Sequence, residues 1–330
     1  MFLKINEAHD LIVKSIMTTS YSLDEASIIA NHLMDSELRG LSFAGVARAI
    51  TVIERINKLH HDRREIQVVH PSLVSAKIDG GEQSGYIVAL KATQIAIDKA
   101  KQYGFAVVGA SKTWLTGMFS YYLEIAAKEN LIGLMAGSGL PHVAPFGGRE
   151  GRFSTNPFAI GFPSMDDPII WDIGTSNMML GEVIIKSRMG EALDEGMAFD
   201  QFGQPTTDPA AALNGALTVW GGHRGSGLAL SAQLFGILAG HEPQSLSAHE
   251  GGFFVILFSP DLLTTVAEFK LQVSQYAHSI RSTKPLNANN PVRVPYERSI
   301  SQRRLNLQAN SIQVTDEVYH KLQEIIDQAN

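Results

Sequence analysis

The sequence predicts an α+β (mixed α/β) fold, in which helices are combined with a mixed sheet. Helical patterns with an apolar face occupy residues 22–40, 43–59 and 84–104, and another lies at 311–328. Between residues 105 and 258, short apolar runs alternate with glycine and proline, which is typical of strands bounded by turns. The two patterns together favour a sheet with helices packed around it.

The helix at 22–40 carries its own start and stop signals. Ser22 followed by Glu25 fits a capping box, in which each side chain accepts a hydrogen bond from the backbone N–H of the other. Gly40 stands where a C-terminal cap is expected. The apolar stripe of this helix is formed by Ala26, Ile29, Ala30, Leu33 and Met34.

Apolar runs predict the strands and one buried helix. The run "FAVVGA" predicts a strand that ends at Ala110, and "LIGLMAG", "FAIGFP", "IIWDIG" and "GGFFVILFSP" predict further strands. The helix at 226–240 is apolar on nearly every face, so burial on all sides is expected. In the helix at 311–328, Thr315 is the expected N-cap.

The composition excludes several functional classes. The chain has 330 residues, 45% of them hydrophobic, which is enough for one large or two medium domains. Its 27 basic and 33 acidic residues give a formal net charge of -6, whereas nucleic-acid and membrane-surface binders carry a basic face. There is no cysteine and the histidines are scattered, so no metal site is expected. A cytoplasmic protein without a secretory signal is expected.

The segment "GGHRGSGLAL", residues 221–230, is the candidate for anion binding. Leu230 stands where a dinucleotide fingerprint needs its last glycine or alanine, so a standard Rossmann loop is not expected. Four glycines with His223 and Arg224 lead into a helix, and backbone amides beside a guanidinium form a phosphate cradle. A tight turn that needs glycine for close packing explains the same pattern.

Three other side chains are candidates for substrate chemistry. His142 lies in the long loop 139–157 and is a candidate general acid, although a lone histidine is more often structural. Arg48 either holds a substrate carboxylate or is a surface arginine of a helix. Asp172, which ends the run "IIWD", either orients a neighbouring donor or caps the "GTS" that follows.

The segment "SKTWLTG", residues 111–117, follows a predicted strand. Loops that leave strands are favoured places for catalytic groups. Lys112 is its one titratable side chain, and it contains neither histidine nor carboxylate. The segment is therefore either the wall of a site that has lost its acid or an ordinary connection.

Six segments together resemble the malate/L-lactate dehydrogenase family, which lacks the Rossmann fold. This family includes ureidoglycolate and sulfolactate dehydrogenases and reductases of cyclic imino acids. The segments occur in the family's order: "ELRGLSFAGVAR", "APFGGREGRFSTNPFAIGFP", "WDIGTS", "GEALDEGMAFDQFGQPTTDPAAAL", "GGHRGSGLAL" and "PVRVPYER". The resemblance implies an oxidoreductase that uses NADPH or NADH on a small 2-oxo, 2-hydroxy or 2-imino carboxylate, and a homodimer.

The resemblance also implies an arrangement of domains. A non-Rossmann, mixed-sheet NAD(P)-binding domain is expected beside a helical domain formed by the chain termini. The expected parts are a mainly helical 1–110 with substrate-binding residues, a mixed-sheet, cofactor-binding 111–290, and a segment 291–330 that packs back on the N-terminal part.

Matched positions carry the family's roles onto this chain. Arg48 is expected to hold the substrate carboxylate. Catalysis is assigned to Arg48 together with Ser42, Thr116, His142, His223 and Asp172. The expected cofactor-binding residues are Thr155, Asn156, Asp172, Thr175, Ser176, His223, Arg224 and Gly225.

The chain departs from the family at several of these positions. Members typically read Asp-Ser-His-Gly where this chain has "SFAG" at 42–45, and Asn-His-Phe-Gly where it has "WLTG" at 114–117. Leu115 therefore stands at the place of the proton-relaying histidine. Arg224 replaces a lysine, and Leu180 replaces a basic residue.

A ketone and a cyclic imine make different demands on such a site. Hydride reduction of a ketone creates an alkoxide, and loss of the general acid that protonates it typically slows the reaction about 100- to 10,000-fold. A cyclic imine can bind already protonated and gives a neutral amine. The favoured substrates are therefore Δ1-pyrroline-2-carboxylate or Δ1-piperideine-2-carboxylate, reduced to L-proline or L-pipecolate.

The apolar residues at these substituted positions also suit a cyclic substrate. An apolar wall stabilises bound substrate by about 0.8 kcal/mol per buried methylene. That wall is expected to consist of Phe43, Ala44, Trp114 and Leu115, with Arg48 beside it. A hydrogen bond to the substrate is expected from Ser42, Thr116 or His142.

Two other functions remain open from the sequence. An ordinary malate/L-lactate-type 2-hydroxyacid dehydrogenase would use His142 or His223 as its proton donor. A non-catalytic cofactor-binding homologue would keep the fold without turnover. The chain has no standard ribose-binding acid with which to choose between NADH and NADPH.

Overall fold

The computed structural model describes residues 1–59, 63–243 and 251–329. Its helices are α1 (Ile5–Met17), α2 (Leu23–Leu38), α3 (Arg48–Leu59), α4 (Gly85–Tyr103), α5 (Phe119–Lys128), α6 (Leu180–Met189), α7 (Pro209–Leu213), α8 (His223–Leu238), α9 (Val266–Arg281), α10 (Glu297–Ala309) and α11 (Asp316–Ala329). Its strands are β1 (Phe2–Lys4), β2 (Gln67–Ser72), β3 (Ser75–Ser84), β4 (Phe105–Trp114), β5 (Ile132–Ser138), β6 (Phe158–Phe162), β7 (Ile169–Ile173), β8 (Ala198–Phe199), β9 (Pro205–Thr206), β10 (Ala216–Leu217), β11 (Gly251–Phe258) and β12 (Ser311–Gln313). None of these helices combines the length and the apolar character that crossing a bilayer requires.

Seven of the described strands form the mixed sheet that the sequence predicts. Their order is β2-β3-β4-β11-β5-β6-β7. β3 and β4 are parallel and are connected through α4, whereas β2–β3, β4–β11 and β11–β5 are antiparallel. A doubly wound Rossmann sheet is mostly parallel, so this sheet belongs to a different class.

The chain divides into two compact units. The first is mainly helical and is built from both ends of the chain: β1 pairs with β12, and α10 packs against α2. The helical domain of chain termini that the resemblance implies is thus confirmed. The first unit consists of Met1–Arg63, Gly161–Trp171 and Pro260–Asn330, and the second of Arg64–Ile160 and Asp172–Ser259.

The compact units do not follow the boundary expected near residue 110, because β4 runs through it. β4 pairs with β3 on one side and with β11 on the other. The strand continues beyond Ala110 because the side chains of Ser111 and Thr113 are buried within the sheet. The Thr113 hydroxyl donates to the backbone oxygen of Gln83 at 2.8 Å. Ser111 and Thr113, whose polar side chains suggest a loop in the sequence, therefore belong to the strand.

Local helix signals place most helix ends correctly. The Ser22 hydroxyl accepts a hydrogen bond from the Glu25 N–H at 3.3 Å, and the Glu25 carboxylate accepts one from the Ser22 N–H at 2.8 Å. The Thr315 hydroxyl accepts from the Val318 N–H at 3.4 Å, as its N-cap role requires. The helix expected at 43–59 begins later, because Ser42–Ala44 form a 3-10 turn before α3.

Helix α8 is not buried on all sides, and that prediction is wrong. One face packs against the sheet, where the Phe235 ring stacks on that of Phe254 at a centroid distance of 4.4 Å. The other face is open, with Leu230, Leu234 and Leu238 exposed by 49%, 55% and 71%. A sheet covers only the helix face that lies against it, whatever residues the opposite face carries.

Candidate active site

The turn after β4 is held by neighbours on several sides. The indole N–H of the buried Trp114 donates to the Glu82 backbone oxygen at 2.9 Å. Leu115 follows with a φ of +51°, a left-handed backbone that a leucine rarely adopts. Such strain persists only where the surroundings fix the chain. The half-buried Leu115 side chain therefore has a defined place at the end of the strand.

Thr116 is fixed through its backbone and leaves its hydroxyl available. The buried Tyr122 hydroxyl donates to the Thr116 backbone oxygen at 2.8 Å. A Cβ on Gly85 would lie 2.8 Å from the Thr116 backbone nitrogen, so the start of α4 packs closely on this turn. Within the described residues the Thr116 hydroxyl makes no hydrogen bond. It can donate to a substrate, though only as a weak acid.

Asp172 caps the helix that follows this turn. One carboxylate oxygen accepts from the Ser120 N–H at 2.7 Å, and the Phe119 N–H and the Ser120 hydroxyl also donate to the carboxyl. Burial raises the pKa of the Asp172 carboxyl, while these hydrogen bonds act in the opposite direction. The carboxyl is therefore committed to the N-terminus of α5, not to the "GTS" segment that follows it.

The turn before α8 is built from glycines in the left-handed region. Gly221 and Gly222 adopt φ values of +61° and +60°, and no side chain caps the helix. A Cβ on Gly225 would lie 1.8 Å from the Trp220 backbone oxygen, so only glycine fits there. His223 and Arg224 are exposed on the first turn. The Arg224 N–H donates to the Gly221 backbone oxygen at 3.3 Å. The N–H groups of His223 and Gly225, beside the Arg224 guanidinium, would suit an anion such as a pyrophosphate.

Asn156 and Thr175 connect the loops around α8. The fully buried Asn156 amide donates to the Ala229 backbone oxygen at 2.8 Å and to the Gln233 side chain at 3.0 Å. The Thr175 hydroxyl donates to the backbone oxygens of Thr155 at 3.0 Å and Asn156 at 3.2 Å. These polar atoms are used inside the protein, so the two residues shape the loops around any cofactor.

A cavity of about 700 Å³ lies beside the α8 turn in the second unit. Phe146, Arg149, Asn177, Phe199 and Gly222 are among the residues that line it. Its volume lies within the range of small-molecule sites. A guanidinium such as that of Arg149 can bind a phosphate or a carboxylate by charge-assisted hydrogen bonds. Sequence reasoning missed the two phenylalanines and Asn177, since no spacing connects them.

The two candidate histidines differ in their surroundings. The half-buried His142 ring makes no hydrogen bond within the described residues, and burial lowers the pKa of its imidazole below 6.5. A neutral imidazole at neutral pH is a poor proton donor. His223 is exposed, with its ring edge-to-face against Phe146 at 6.2 Å. Neither histidine belongs to the Leu115 turn.

The candidate substrate residues of the first unit lie on one turn. Ser42, Phe43 and Ala44 form the 3-10 turn, and the Arg48 N–H donates to the Gly45 backbone oxygen at 2.9 Å. Glu37, which sequence reasoning overlooked, lies buried beneath this turn. Its sequence signal is its position four residues after Leu33, in register with the apolar stripe of α2.

The described residues contain no group of three or more side chains able to hold a metal ion. Their seven-stranded mixed sheet lacks the Rossmann strand order. The chain belongs to the malate/L-lactate dehydrogenase family, whose family model matches residues 3–323. It is an NAD(P)-dependent oxidoreductase of small carboxylates.

Relatives of different activities have the same percentage of residues identical to this chain, over different lengths. A malate/(S)-sulfolactate dehydrogenase of Methanothermus fervidus is 30% identical, over 100% of this chain and 98% of the relative. A Delta(1)-pyrroline-2-carboxylate reductase of Burkholderia ambifaria is also 30% identical, over 78% and 79%. The structure of a dehydrogenase from Sinorhizobium meliloti matches with a TM-score of 0.91 and 27% identity, over 99% and 98%.

The Asp172 cap has a measurable pH signature. A raised pKa means that the folded chain binds this proton more tightly than the unfolded chain, in which aspartate titrates near 3.8. The wild-type free energy of unfolding therefore declines as the pH rises from that value through the raised pKa. Asp172→Asn stays neutral and keeps an acceptor. The stability of the wild type relative to this variant should fall across the window in urea unfolding.

Asp98→Asn is the matched control, because Asp98 is exposed on α4. The difference in free energy of unfolding between the wild type and Asp98→Asn should not fall across this pH window. A wild-type advantage over Asp172→Asn that grows with pH would mean that attraction to the α5 N-terminus outweighs burial, which contradicts the account.

Proposed function

We propose that the enzyme is an NAD(P)H-dependent reductase of a cyclic ketimine, Δ1-pyrroline-2-carboxylate or Δ1-piperideine-2-carboxylate, with L-proline or L-pipecolate as product. This proposal depends mainly on the turn Trp114–Met118, which contains no titratable side chain and is fixed by its neighbours. The resemblance places a proton-relaying histidine at Leu115. A leucine there favours a substrate that arrives protonated.

The remaining proton donors support the same choice. His142 has a lowered pKa, which leaves little of the acidic form at neutral pH. The Thr116 hydroxyl is a much weaker acid than an imidazolium. An alkoxide formed from a ketone would receive little help from either group, whereas an iminium needs none. The pyrroline-2-carboxylate reductase relative is consistent with this proposal.

Each candidate residue receives a task in this proposal. The guanidinium of Arg48 holds the substrate carboxylate by two parallel hydrogen bonds. Apolar side chains exclude water and contact the ring methylenes. The candidates are Phe43 and Ala44 in the first unit, and Trp114 and Leu115 in the second. Asp172 positions the turn by capping α5, so its contribution to catalysis is indirect.

The cofactor residues follow from the cradle. The nicotinamide cofactor, NADPH or NADH, supplies the hydride. The open amides of the α8 turn, together with His223, Arg224 and Gly225, hold its pyrophosphate. The loops around α8 are held by hydrogen bonds that involve Thr155, Asn156, Thr175 and Ser176.

A malate/L-lactate-type 2-hydroxyacid dehydrogenase is the second candidate function. The observation that favours it is the sulfolactate dehydrogenase relative, which matches along the full chain. It requires His142 or His223 as its proton donor. The position of Leu115 argues against it.

Substrate turnover tests the proposal directly. With NADPH or NADH, oxidation of the cofactor should be faster with Δ1-pyrroline-2-carboxylate than with pyruvate or oxaloacetate. Arg48→Met should raise KM sharply, because a lost charge-assisted hydrogen bond typically weakens binding by about 1.5–3 kcal/mol. Steady-state kinetics measure both effects.

Lys58→Met is the control for Arg48, since it removes an exposed cation from the same helix. Faster reduction of a keto acid would remove the ketimine proposal, and an unchanged KM would remove the carboxylate role of Arg48. Cofactor binding without turnover of any of these substrates would favour a non-catalytic homologue.

We also propose that the enzyme is a homodimer through the exposed face of α8. Leu230, Leu234 and Leu238 form an apolar stripe at intervals of four residues. The helix carries no charge between Gly225 and Leu238, so two copies can meet around a two-fold axis without like charges opposing each other. Exposed apolar stripes of this kind mark protein interfaces.

Leu234→Glu places two like charges at such an interface and should shift the enzyme from dimer to monomer. Light scattering after size-exclusion chromatography measures the mass. Leu263→Glu is the control, because Leu263 is exposed elsewhere, in the first unit. An unchanged mass for Leu234→Glu would place any interface on another surface.

A further inference from the structure

The cavity beside the α8 turn has one charged side chain on its wall. Among the described residues that line it, Arg149 is the single Lys, Arg, Asp or Glu. The others are apolar, amide or hydroxyl side chains and glycines. A cavity of about 700 Å³ with this lining favours a ligand that carries a localised negative charge on a largely uncharged body.

Arg149 is held at the cavity by its aliphatic stem. A Cβ on Gly203, whose φ is +74°, would lie 2.6 Å from the Arg149 Cδ and 3.0 Å from its Cγ, so the stem packs directly on the Gly203 backbone. Within the described residues the exposed Arg149 guanidinium forms no hydrogen bond and no ion pair. The neighbouring Glu150 is engaged by Arg152 at 2.8 Å. The donors of Arg149 are therefore available to a ligand.

The cavity adjoins the turn that is proposed to hold the cofactor pyrophosphate. Gly222, the N-cap of α8, is one of its lining residues. A Cβ on Gly222 would lie 3.3 Å from the ring of Phe146, another lining residue. The Phe146 N–H donates to the Ser226 hydroxyl at 3.1 Å, which fastens its loop to the first turn of α8. A group bonded to the pyrophosphate can therefore extend into the cavity.

The adenosine half of the cofactor suits this cavity better than the nicotinamide half. In the proposed function the nicotinamide faces the substrate beside the turn Trp114–Met118, and no residue of that turn is among the described residues that line the cavity. Phe146 and Phe199 offer aromatic surface to a base. Sites for an unmodified adenosine ribose carry an acid for its 2′-hydroxyl, whereas an arginine accommodates a 2′-phosphate. This lining has the arginine and no acid.

We propose that Arg149 binds the 2′-phosphate of NADPH and that the enzyme thereby selects NADPH over NADH. The inference rests on the proposed function for the place of the pyrophosphate, and it names the residue that selects the cofactor. A guanidinium binds a phosphate through two parallel charge-assisted hydrogen bonds. NADH carries a hydroxyl at the same ribose carbon and gives Arg149 no anion to bind.

Binding of the two reduced cofactors without substrate tests the inference. Titration followed by nicotinamide fluorescence measures both dissociation constants. The wild type should bind NADPH about ten- to 100-fold more tightly than NADH, which is the effect of a hydrogen bond to a charged group. Arg149→Met should weaken NADPH binding by that factor and leave NADH binding unchanged. Arg149→Lys keeps a point charge without the planar fork and should keep part of the preference.

Matched variants separate the phosphate from the base. Arg152→Met removes a nearby arginine that does not line the cavity, and it should bind both cofactors like the wild type. Phe146→Ala should weaken NADPH and NADH alike, by about fivefold or more, because both cofactors carry the same adenine. Phe202→Ala is the control for Phe146, since Phe202 is 75% exposed and does not line the cavity.

A free nucleotide shows whether the cavity belongs to the cofactor site. Adenosine 2′-monophosphate should displace NADPH from the wild type, and Arg149→Met should bind it more weakly. Binding of this nucleotide to enzyme saturated with NADPH would make the cavity a separate nucleotide site and overturn the inference.

The outcomes separate the inference from the proposed function. A preference for NADPH that Arg149→Met abolishes and Arg152→Met retains supports the inference. Equal binding of NADPH and NADH by the wild type overturns it, as does an Arg149→Met variant that weakens both cofactors equally or neither. In the separate turnover assay, faster reduction of keto acids overturns the proposed function whichever cofactor the enzyme prefers.

Discussion

The hydrogen bonds that Asp172 accepts at the N-terminus of α5 fix the place where substrate chemistry is proposed. They connect the end of β7 to the helix that follows the Leu115 turn. From that helix the Tyr122 hydroxyl donates to the backbone oxygen of Thr116, the residue after the left-handed Leu115. In the proposed function, the side chains of this turn are the ones that the substrate meets.

Polar atoms in both units serve mainly to position backbone. Asn156 and Thr175 use their side chains to join loops around α8, and Glu37 does the same under the 42–46 turn. Buried polar groups of this kind are tolerated because their hydrogen bonds are satisfied. The result is a set of loops with defined shape. Among the described residues, the Thr116 hydroxyl, backbone amides of the α8 turn and exposed cations are available to ligands.

Short-range sequence signals predicted more of the fold than of the candidate site. The Ser22–Glu25 capping box and the Thr315 cap are short-range features, so the sequence was sufficient to place them. The extension of β4 past Ala110 was missed because Thr113 is satisfied by Gln83, a partner thirty residues away. The open face of α8 was missed because the sequence shows which residues of a helix are apolar but not which parts of the protein pack against them.

The site shows the same limit at the level of single residues. The absence of an acid at Leu115 was visible in the sequence. The partner of Asp172 was not, because Ser120 is 52 residues away. Glu37 was hidden because its meaning depends on a turn folding back over α2.

The central claim is that Leu115 sets the substrate by leaving the site without an acid. The most direct measurement is the ratio of kcat/KM for pyruvate to that for Δ1-pyrroline-2-carboxylate in Leu115→His. A histidine tolerates the left-handed backbone of this position better than leucine does. The account predicts that the ratio rises by about 100-fold or more, the usual effect of a general acid. A ratio equal to that of the wild type, in a variant that folds and binds cofactor, would contradict it.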